Sequence, residues 1–449
     1  MPVKISVIGA GSAVFSLAMI KDLVQTPGLA NSHVCFMDID QSRLDAATRL
    51  CERYAKERGT TINITKTLCR EEALKDADFV VNIALASPWS RWKEGWKIAN
   101  DLGYRFGGSQ HIVHDEAFWI NYYQLKLMEE ITQDILRICP KAWLLMVANP
   151  VSAGVTYLKR KYPELNLVGM CHGYTGVYGV AWMMDLDFKH VSFEAPGINH
   201  FLWLTKFLYK GEDAFPMLNK FLEENGEEYI KKAGISSAEG KKPIDLYKRF
   251  GAFPLGDTAN VGGGAWGHFY HTSKEVEEHW NEDPDTWFGH YFVDGQKTID
   301  KIREVAEDET KSATELVGEG DSGESMVDFI DAIANDNGQI VVVNIMNDKE
   351  YVPGVPKDFQ VEVQAWVSAK GVQGIHTDRL PKPIEAYLLR DRVAPIEMEI
   401  AAFEHGSYEY LLQLVMMDPW TKTEEQARKL LDAILDLPYH TEMKAHYKK

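Results

Sequence analysis

The apolar run Val3-Lys4-Ile5-Ser6-Val7-Ile8 leads straight into Gly9-Ala10-Gly11-Ser12, and a helical pattern, "VFSLAMIKDLVQ", begins at once. A buried strand that turns through two glycines into a helix leaves few folds open to a chain. The glycines permit a tight turn and a close approach of backbone to a pyrophosphate, whose charge the helix N-terminus stabilises. The third glycine of the dinucleotide fingerprint is missing, with Val14 in its place. A second strand, "HVCFMDID", carries Asp38, 29 residues after Gly9, where an acid binds ribose hydroxyls and repels a 2′-phosphate. The pattern predicts NAD rather than NADP, held by Gly9, Gly11, Ser12 and Asp38. The alternative is a glycine turn in a sheet protein that binds no nucleotide.

The stretches "ADFVVNIAL" (77–85) and "AWLLMVANP" (142–150) read as further buried strands, separated by the helix "EAFWINYYQLKLMEEITQDILRIC". This βαβ rhythm predicts an α/β fold with a Rossmann-like, doubly wound parallel sheet. Beyond Pro150 the rhythm changes. "HVSFEAPGINHFLWLTKFLYKGE" and "GQIVVVNIMN…QVEVQAWVSA" suit antiparallel strands, with the helical stretches "FPMLNKFLEENGEEYIKKA" and "PIEAYLLRDRVAPIEMEIAAFEHGSYEYLLQLVMM" around them. The expected division lies near 150–165, with a cofactor domain over residues 1–160 and an α+β domain over 161–449. Residues 304–327, polar and acidic, are expected to form a surface loop.

The chain has 449 residues, enough for two or three domains, and a net charge of −18. That field repels nucleic acid and anionic membranes, and no run of basic residues overrides it, so neither partner is expected. The five cysteines (Cys35, Cys51, Cys69, Cys139 and Cys171) are odd in number and scattered. With no secretory apolar segment and no run of membrane-spanning length, they point to a reducing cytoplasm, where a disulfide at Cys171 is not expected.

Cys171 stands in "VGMCHGYTGVYG", beside His172, and 29 residues later "GINHFLWL" presents Asn199 and His200 at the start of an apolar strand. A cysteine and a histidine from separate elements suit a two-ligand metal site completed by substrate oxygens and water. No further Cys or His stands at the spacing of a closed zinc site. Soft thiolate with imidazole and open positions admits a divalent ion such as Mn²⁺. The alternatives stay open here: a buried cysteine acting as a small hydrophobe, and a satisfied core histidine.

"ISVIGAGS", "ANP", "GMCHG", "GINH" and "FGAFPLGDT", in this order, resemble glycoside hydrolase family 4, and the resemblance runs to "DPWTKTEEQARKLLDAILDLP" near the C-terminus. That family is an NAD- and manganese-dependent exception to two-carboxylate glycoside hydrolysis, with a lactate-dehydrogenase-like cofactor domain. The resemblance implies that Cys171 and His200 hold Mn²⁺, that Gly9, Gly11, Ser12 and Asp38 bind NAD, and that Asn149 contacts substrate near the nicotinamide. It places His172 as the acid that protonates the leaving oxygen and Asp257 as the base, with Tyr247 in reserve. The alternatives are a turn before Pro150 for Asn149, a loop cap for Asp257 and ordinary core for Tyr247. The resemblance also implies a homodimer or larger assembly.

The Cys171-His172-Gly173 and Gly256-Asp257-Thr258 motifs look most like the branch acting on α-linked uronides. The implied reaction oxidises the sugar at C3, removes the C2 proton, expels the leaving group, adds water and returns the hydride. Glucuronide stands ahead of galacturonide as substrate. Arg91, Arg105, His111 and His114 are the cationic or donor groups near the expected crevice that could meet a C6 carboxylate. Where many members carry a Gly- and Thr-rich loop, this chain has "GGSQHIVHDEAFW" (107–119). No role transfers to His111, His114, Asp115 or Glu116, and a polar helix start explains the two acids equally well. The rivals are an α-glucosidase or α-galactosidase of the same family, an NAD-dependent hydroxy-acid dehydrogenase, and a catalytically silent NAD-sensing protein.

Overall fold

The structure is a computed structural model that describes residues 2–104, 117–258 and 265–449. Arg105, His111, His114, Asp115 and Glu116 lie outside the described residues. Among those described, no helix is long and apolar enough to cross a membrane.

Six strands, β1 (Lys4–Ile8), β2 (His33–Met37), β3 (Asn63–Thr67), β4 (Phe79–Asn82), β5 (Trp143–Met146) and β6 (Asn166–Gly169), pair in parallel in the order β3-β2-β1-β4-β5-β6. Apart from the polar, exposed edge strand β3, their apolar runs are continuous because both faces are covered. Along β4 and β5, successive side chains fall into different cores: Val80, Leu144 and Met146 join one, while Phe79, Val81 and Leu145 join the other. The expected Rossmann-like sheet is therefore present. It extends through β6, past the division expected after residue 160, since β6 needs β5 beside it to satisfy its backbone groups.

The same sheet then changes direction. Its later strands are β7 (Val191–Glu194), β8 (Gly197–Ile198), β9 (Phe201–Leu204), β10 (Lys206–Tyr209), β11 (Glu212–Asp213), β12 (Phe253–Leu255), β13 (Gln339–Met346), β14 (Gln360–Ser368) and β15 (Gly371–Gly374). β13 lies antiparallel to β6, and β14, β8, β9 and β12 follow outward, giving one sheet across both halves; β7, β10 and β11 form a small separate sheet. One transverse row crosses the join: Gly169, Asn344, Glu362, Gly197 and Leu202 are successive cross-strand partners, and Leu202 pairs with Leu255. The chain leaves the sheet close to this row at Met170, Asn199 and Gly256. Three loops distant in sequence are thus brought together.

The acidic segment 304–327 is not a loop throughout. It holds the end of helix Pro284–Glu307, all of helix Ala313–Val317 and the start of helix Met326–Asn335. Its polar groups have partners on the dinucleotide half. Glu57 accepts hydrogen bonds from the N–H groups of Ala313 and Thr314 and from the Ser312 hydroxyl. Partial burial pushes the Glu57 carboxyl up, but these bonds outweigh it and hold the group at about 2. Arg53 donates to the carbonyls of Val305, Asp308 and Lys311. Solubility and capping chemistry look alike in composition, which is why the segment reads as loop.

Trp203 on β9 is fully buried and packs edge-on against Phe201 and Phe250, whereas Trp182 is 68% exposed. Trp203→Ala is expected to cost about 3–5 kcal/mol of stability, while Trp182→Ala stays within about 0.5 kcal/mol. Urea unfolding of the two variants checks both values.

Candidate active site

The turn after β6 carries Met170, Cys171 and His172; the β8–β9 turn carries Asn199 and His200; the 3₁₀ turn Gly256–Thr258 after β12 carries Asp257. They meet backbone to backbone. Gly256 has a φ of +54°, and a Cβ there would lie 2.8 Å from the Gly173 carbonyl oxygen. A Cβ on Gly176 would likewise lie 2.8 Å from the Gly256 nitrogen. The glycines around Cys171 serve this close approach. His200 sits at φ +59°, a conformation that costs a side-chain-bearing residue energy and persists where the surroundings enforce it.

These turns line a cavity of about 550 Å³, joined by Asn149 beyond the end of β5. The Cys171 thiol and the His200 imidazole are hydrogen-bonded. Burial pushes the thiol's pKa up, and His200 opposes that shift. His200 Nε2 stands 3.4 Å from an Asp257 carboxylate oxygen. His172 Nδ1 stands 3.0 Å from Glu324 Oε1, and this pairing, against a smaller desolvation effect, raises the imidazole's pKa. Asn149, Cys171, His172, His200 and Asp257 are thus brought together. Tyr247 is not among them. It is buried in the C-terminal core, stacked on Phe215, with its hydroxyl donated to Asn219, and it does not line the cavity. Its helix, Lys241–Phe250, turns its apolar face inward, and Tyr247 belongs to that face. Tyr247, expected as the reserve base, is a core residue away from the cavity.

Behind the His200 turn lies a buried polar layer that sequence reasoning missed. Glu362 is fully buried and accepts a hydrogen bond from the Asn199 amide at 3.1 Å. The guanidinium of Arg392, also buried, donates to the Asn199 carbonyl at 3.1 Å. Burial raises Glu362 to about 7, against the pull of Asn199 and His200. A strand pattern reads Glu362 as an outward polar residue. Its burial depends on the β8–β9 turn, which brings Asn199 to its carboxylate, and that pairing is not local in sequence.

At the other end of the cavity, Phe15, Val147 and Met170 form an apolar wall that continues toward the glycine turn. Gly9 has a φ of +90°, and a Cβ there would come 2.5 Å from the Ala84 Cα. The Asp38 carboxylate accepts hydrogen bonds from the N–H groups of Gly11, at 2.8 Å, and Asp40, at 2.9 Å. Ser12 stands at the N-cap of helix Ala13–Leu23 without a side-chain capping bond. A bare helix start, a glycine cradle and an acid at the end of the second strand fit a dinucleotide.

The donor set also fits a divalent metal with open positions. Cys171 and His200 supply one soft and one borderline ligand, and carboxylates of Glu239, Asp257 and Glu324 line the same cavity. Among the described residues, no three His, Cys, Asp or Glu side chains form a closed cluster. Nor does any lysine or arginine line the cavity among those residues. Arg91 stacks over the Tyr439 ring, 4.7 Å from its centroid, away from the lining. Glu324 carried no sequence signal beyond an acidic stretch, and Trp287, which also lines the cavity, carried none.

A Rossmann-like sheet carried into an antiparallel half, with a Cys/His pair at the join, defines a dinucleotide-dependent enzyme class rather than a closed metal-binding module. Comparison with known proteins narrows this. The model of family 4 glycosyl hydrolases matches residues 4–185, and that of the family 4 glycosyl hydrolase C-terminal domain matches residues 195–421. The chain belongs to this family. An α-glucosidase of Erwinia rhapontici is 26% identical, over 97% of this chain and 98% of its own length. An α-galacturonidase of Lachnoclostridium phytofermentans is 25% identical, over 97% and 95%. A 6-phospho-α-glucosidase from gut microorganisms, solved in complex with NAD and Mn²⁺, shares the fold with a TM-score of 0.80 at 19% identity, covering 97% of this chain and 98% of that one.

The raised Glu362 sets a pH dependence of stability. Its folded value of about 7 lies above the ordinary 4.5, so the benefit is full below 4.5 and is lost as pH rises to 7. Between about pH 5 and 8 this removes roughly 3 kcal/mol or less from the metal-free protein. In Glu362→Gln that loss should disappear, since the amide oxygen still accepts from Asn199. Urea unfolding of the chelator-treated proteins near both pH values checks the difference.

Proposed function

We propose that the protein is a glycosidase that uses NAD and Mn²⁺ to hydrolyse α-linked hexuronides, glucuronides ahead of galacturonides. The observation that carries the reading is the convergence of Asn149, Cys171, His172, His200 and Asp257 in one cavity whose apolar wall leads toward the dinucleotide turn. NAD, when bound, supplies a reversible hydride acceptor, and Mn²⁺ supplies a Lewis acid for the sugar oxygens. Cys171 and His200 hold the metal, with Glu362 and Arg392 fixing the Asn199–His200 turn. Gly9, Gly11 and Ser12 take the pyrophosphate, and Asp38 takes the ribose. Asn149 orients the sugar at the nicotinamide end. Asp257 removes the C2 proton, and His172 gives a proton to the leaving oxygen.

The uronide rests on the Cys-His-Gly and Gly-Asp-Thr motifs, and charge argues against a phosphorylated sugar. Glu239, Asp257 and Glu324 face the cavity, so a dianionic phosphate meets more repulsion there than a single carboxylate does. The names of the relatives, α-glucosidase and α-galacturonidase, support an α-glycoside without choosing between a neutral and an acidic sugar. We place the enzyme in the cytoplasm as a homodimer or larger assembly; all five cysteines are free thiols, and a thiolate ligand is best kept in a reducing compartment.

The test is a panel of p-nitrophenyl α-glucuronide, α-galacturonide, α-glucoside and α-glucoside 6-phosphate, assayed with NAD⁺ and Mn²⁺. The uronides should lead, with no NADH accumulating. A neutral or phosphorylated sugar ahead by tenfold in kcat/KM, about 1.4 kcal/mol, overturns the uronide. NADH formed in step with product overturns the glycosidase in favour of a dehydrogenase. Cys171→Ser should stay folded and lose about 10-fold to 100-fold in Mn²⁺ affinity, measured by titration of the metal, because a serine hydroxyl does not ionise as a thiol does near neutral pH.

A further inference from the structure

His172 lies on a turn between glycines, and its side chain is 62% exposed. Packing therefore does little to fix its ring. Glu324 is the opposite: its side chain is 12% exposed, and its carboxylate meets His172 Nδ1 at 3.0 Å. Backbone and hydroxyl bonds on both sides hold Glu324 in place. Ser322 donates from its N–H and its hydroxyl to the two oxygens of Asp22, on the helix that follows the glycine turn. The Glu324 N–H then donates to the Ser322 hydroxyl oxygen at 3.0 Å. One residue further on, the Ser325 hydroxyl bonds the hydroxyl of Tyr174 at 2.7 Å, two residues from His172. A strap from the acidic segment is thus pinned to the dinucleotide half and to the Cys171 turn, and it delivers one carboxylate to the cavity.

We propose that Glu324 is a positioning residue that holds the His172 imidazole by Nδ1 and so directs Nε2 to the leaving-group oxygen. The inference rests on the reading of His172 as the acid. In the step concerned, the electron pair left at C2 by loss of its proton forms the C1=C2 bond, the C1–O bond breaks with its pair passing to oxygen, and the Nε2–H bond of His172 breaks with its pair left on nitrogen as the proton forms the new O–H bond. The Nδ1–H stays on the ring, donated to Glu324 throughout. A carboxylate that orients an imidazole through Nδ1 and stabilises its charged form is a known arrangement in acyl transfer. Here it serves a proton donor that the fold leaves otherwise loose.

The experiment is a leaving-group series of α-glucuronides (4-nitrophenyl, phenyl and methyl) with saturating NAD⁺ and Mn²⁺, applied to wild type, Glu324→Ala, Glu324→Gln, His172→Gln and the double variant His172→Gln/Glu324→Ala. Losing a positioned acid penalises leaving groups that need a proton, by about 100-fold for methyl, and changes 4-nitrophenyl by less than about 3-fold. Glu324→Ala should follow this pattern, and Glu324→Gln should follow it more weakly because its amide oxygen still accepts from Nδ1–H. In the His172→Gln background, Glu324→Ala should cost nothing further. Unfolding curves should match wild type in both single Glu324 variants. A uniform loss across the series in Glu324→Ala, or additivity in the double variant, overturns the inference while leaving the role of His172 intact. A uniform loss in His172→Gln overturns the acid assignment, and the Glu324 inference with it.

Discussion

Gly169 on β6 pairs with Asn344 on β13, and this one antiparallel register joins two halves of the chain that are otherwise built on different rules. To one side the strands run parallel and, apart from the edge strand β3, are buried on both faces. To the other they run antiparallel. Because the row continues through Glu362 to Gly197, the ends of β6, β8 and β12 open near one another. If the sheet stopped at β6, Cys171 would flank a dinucleotide crevice with no partner. The backbone pairing across the join is what sets Cys171 against His200.

That geometry carries an electrostatic cost. Glu362 is fully buried under the His200 turn, and Glu239, Asp257 and Glu324 surround the cavity in a chain of charge −18. Buried carboxylates are costly unless hydrogen-bonded or met by a cation. Asn199 and Arg392 meet part of this need behind the turn, and His172 and His200 meet part of it within the cavity. A divalent ion between Cys171 and His200 would meet the remainder. The acidity of the chain is, at this site, a reason to bind metal.

Four of the six parallel strands, β1, β2, β4 and β5, were readable as short apolar runs, with β4 and β5 inside the predicted 77–85 and 142–150, whereas the polar edge strand β3 and the four-residue β6 were not read. Cys171, His200 and Asn149 could be singled out by residue type and motif. Their meeting could not, since it depends on the pairing of β6 with β13, some 175 residues apart, which no local periodicity encodes. Residues whose function lies in partnership were least legible. Glu324 sits in a stretch whose composition resembles solvated loop, and Glu362 occupies a strand position that alternation assigns to solvent. Tyr247 errs in the opposite sense: its residue type suits a base, but the amphipathic helix Lys241–Phe250 commits it to the core.

The central claim is that this site hydrolyses by way of a carbanion at C2 rather than by two carboxylates acting at C1. Hydrolysis of an α-glucuronide in D₂O, followed by NMR of the released uronic acid, tests it directly. Removal of the C2 proton and its return from solvent predict deuterium at C2 of the product. Product that retains only protium at C2 would contradict the account and point instead to direct displacement at the anomeric carbon.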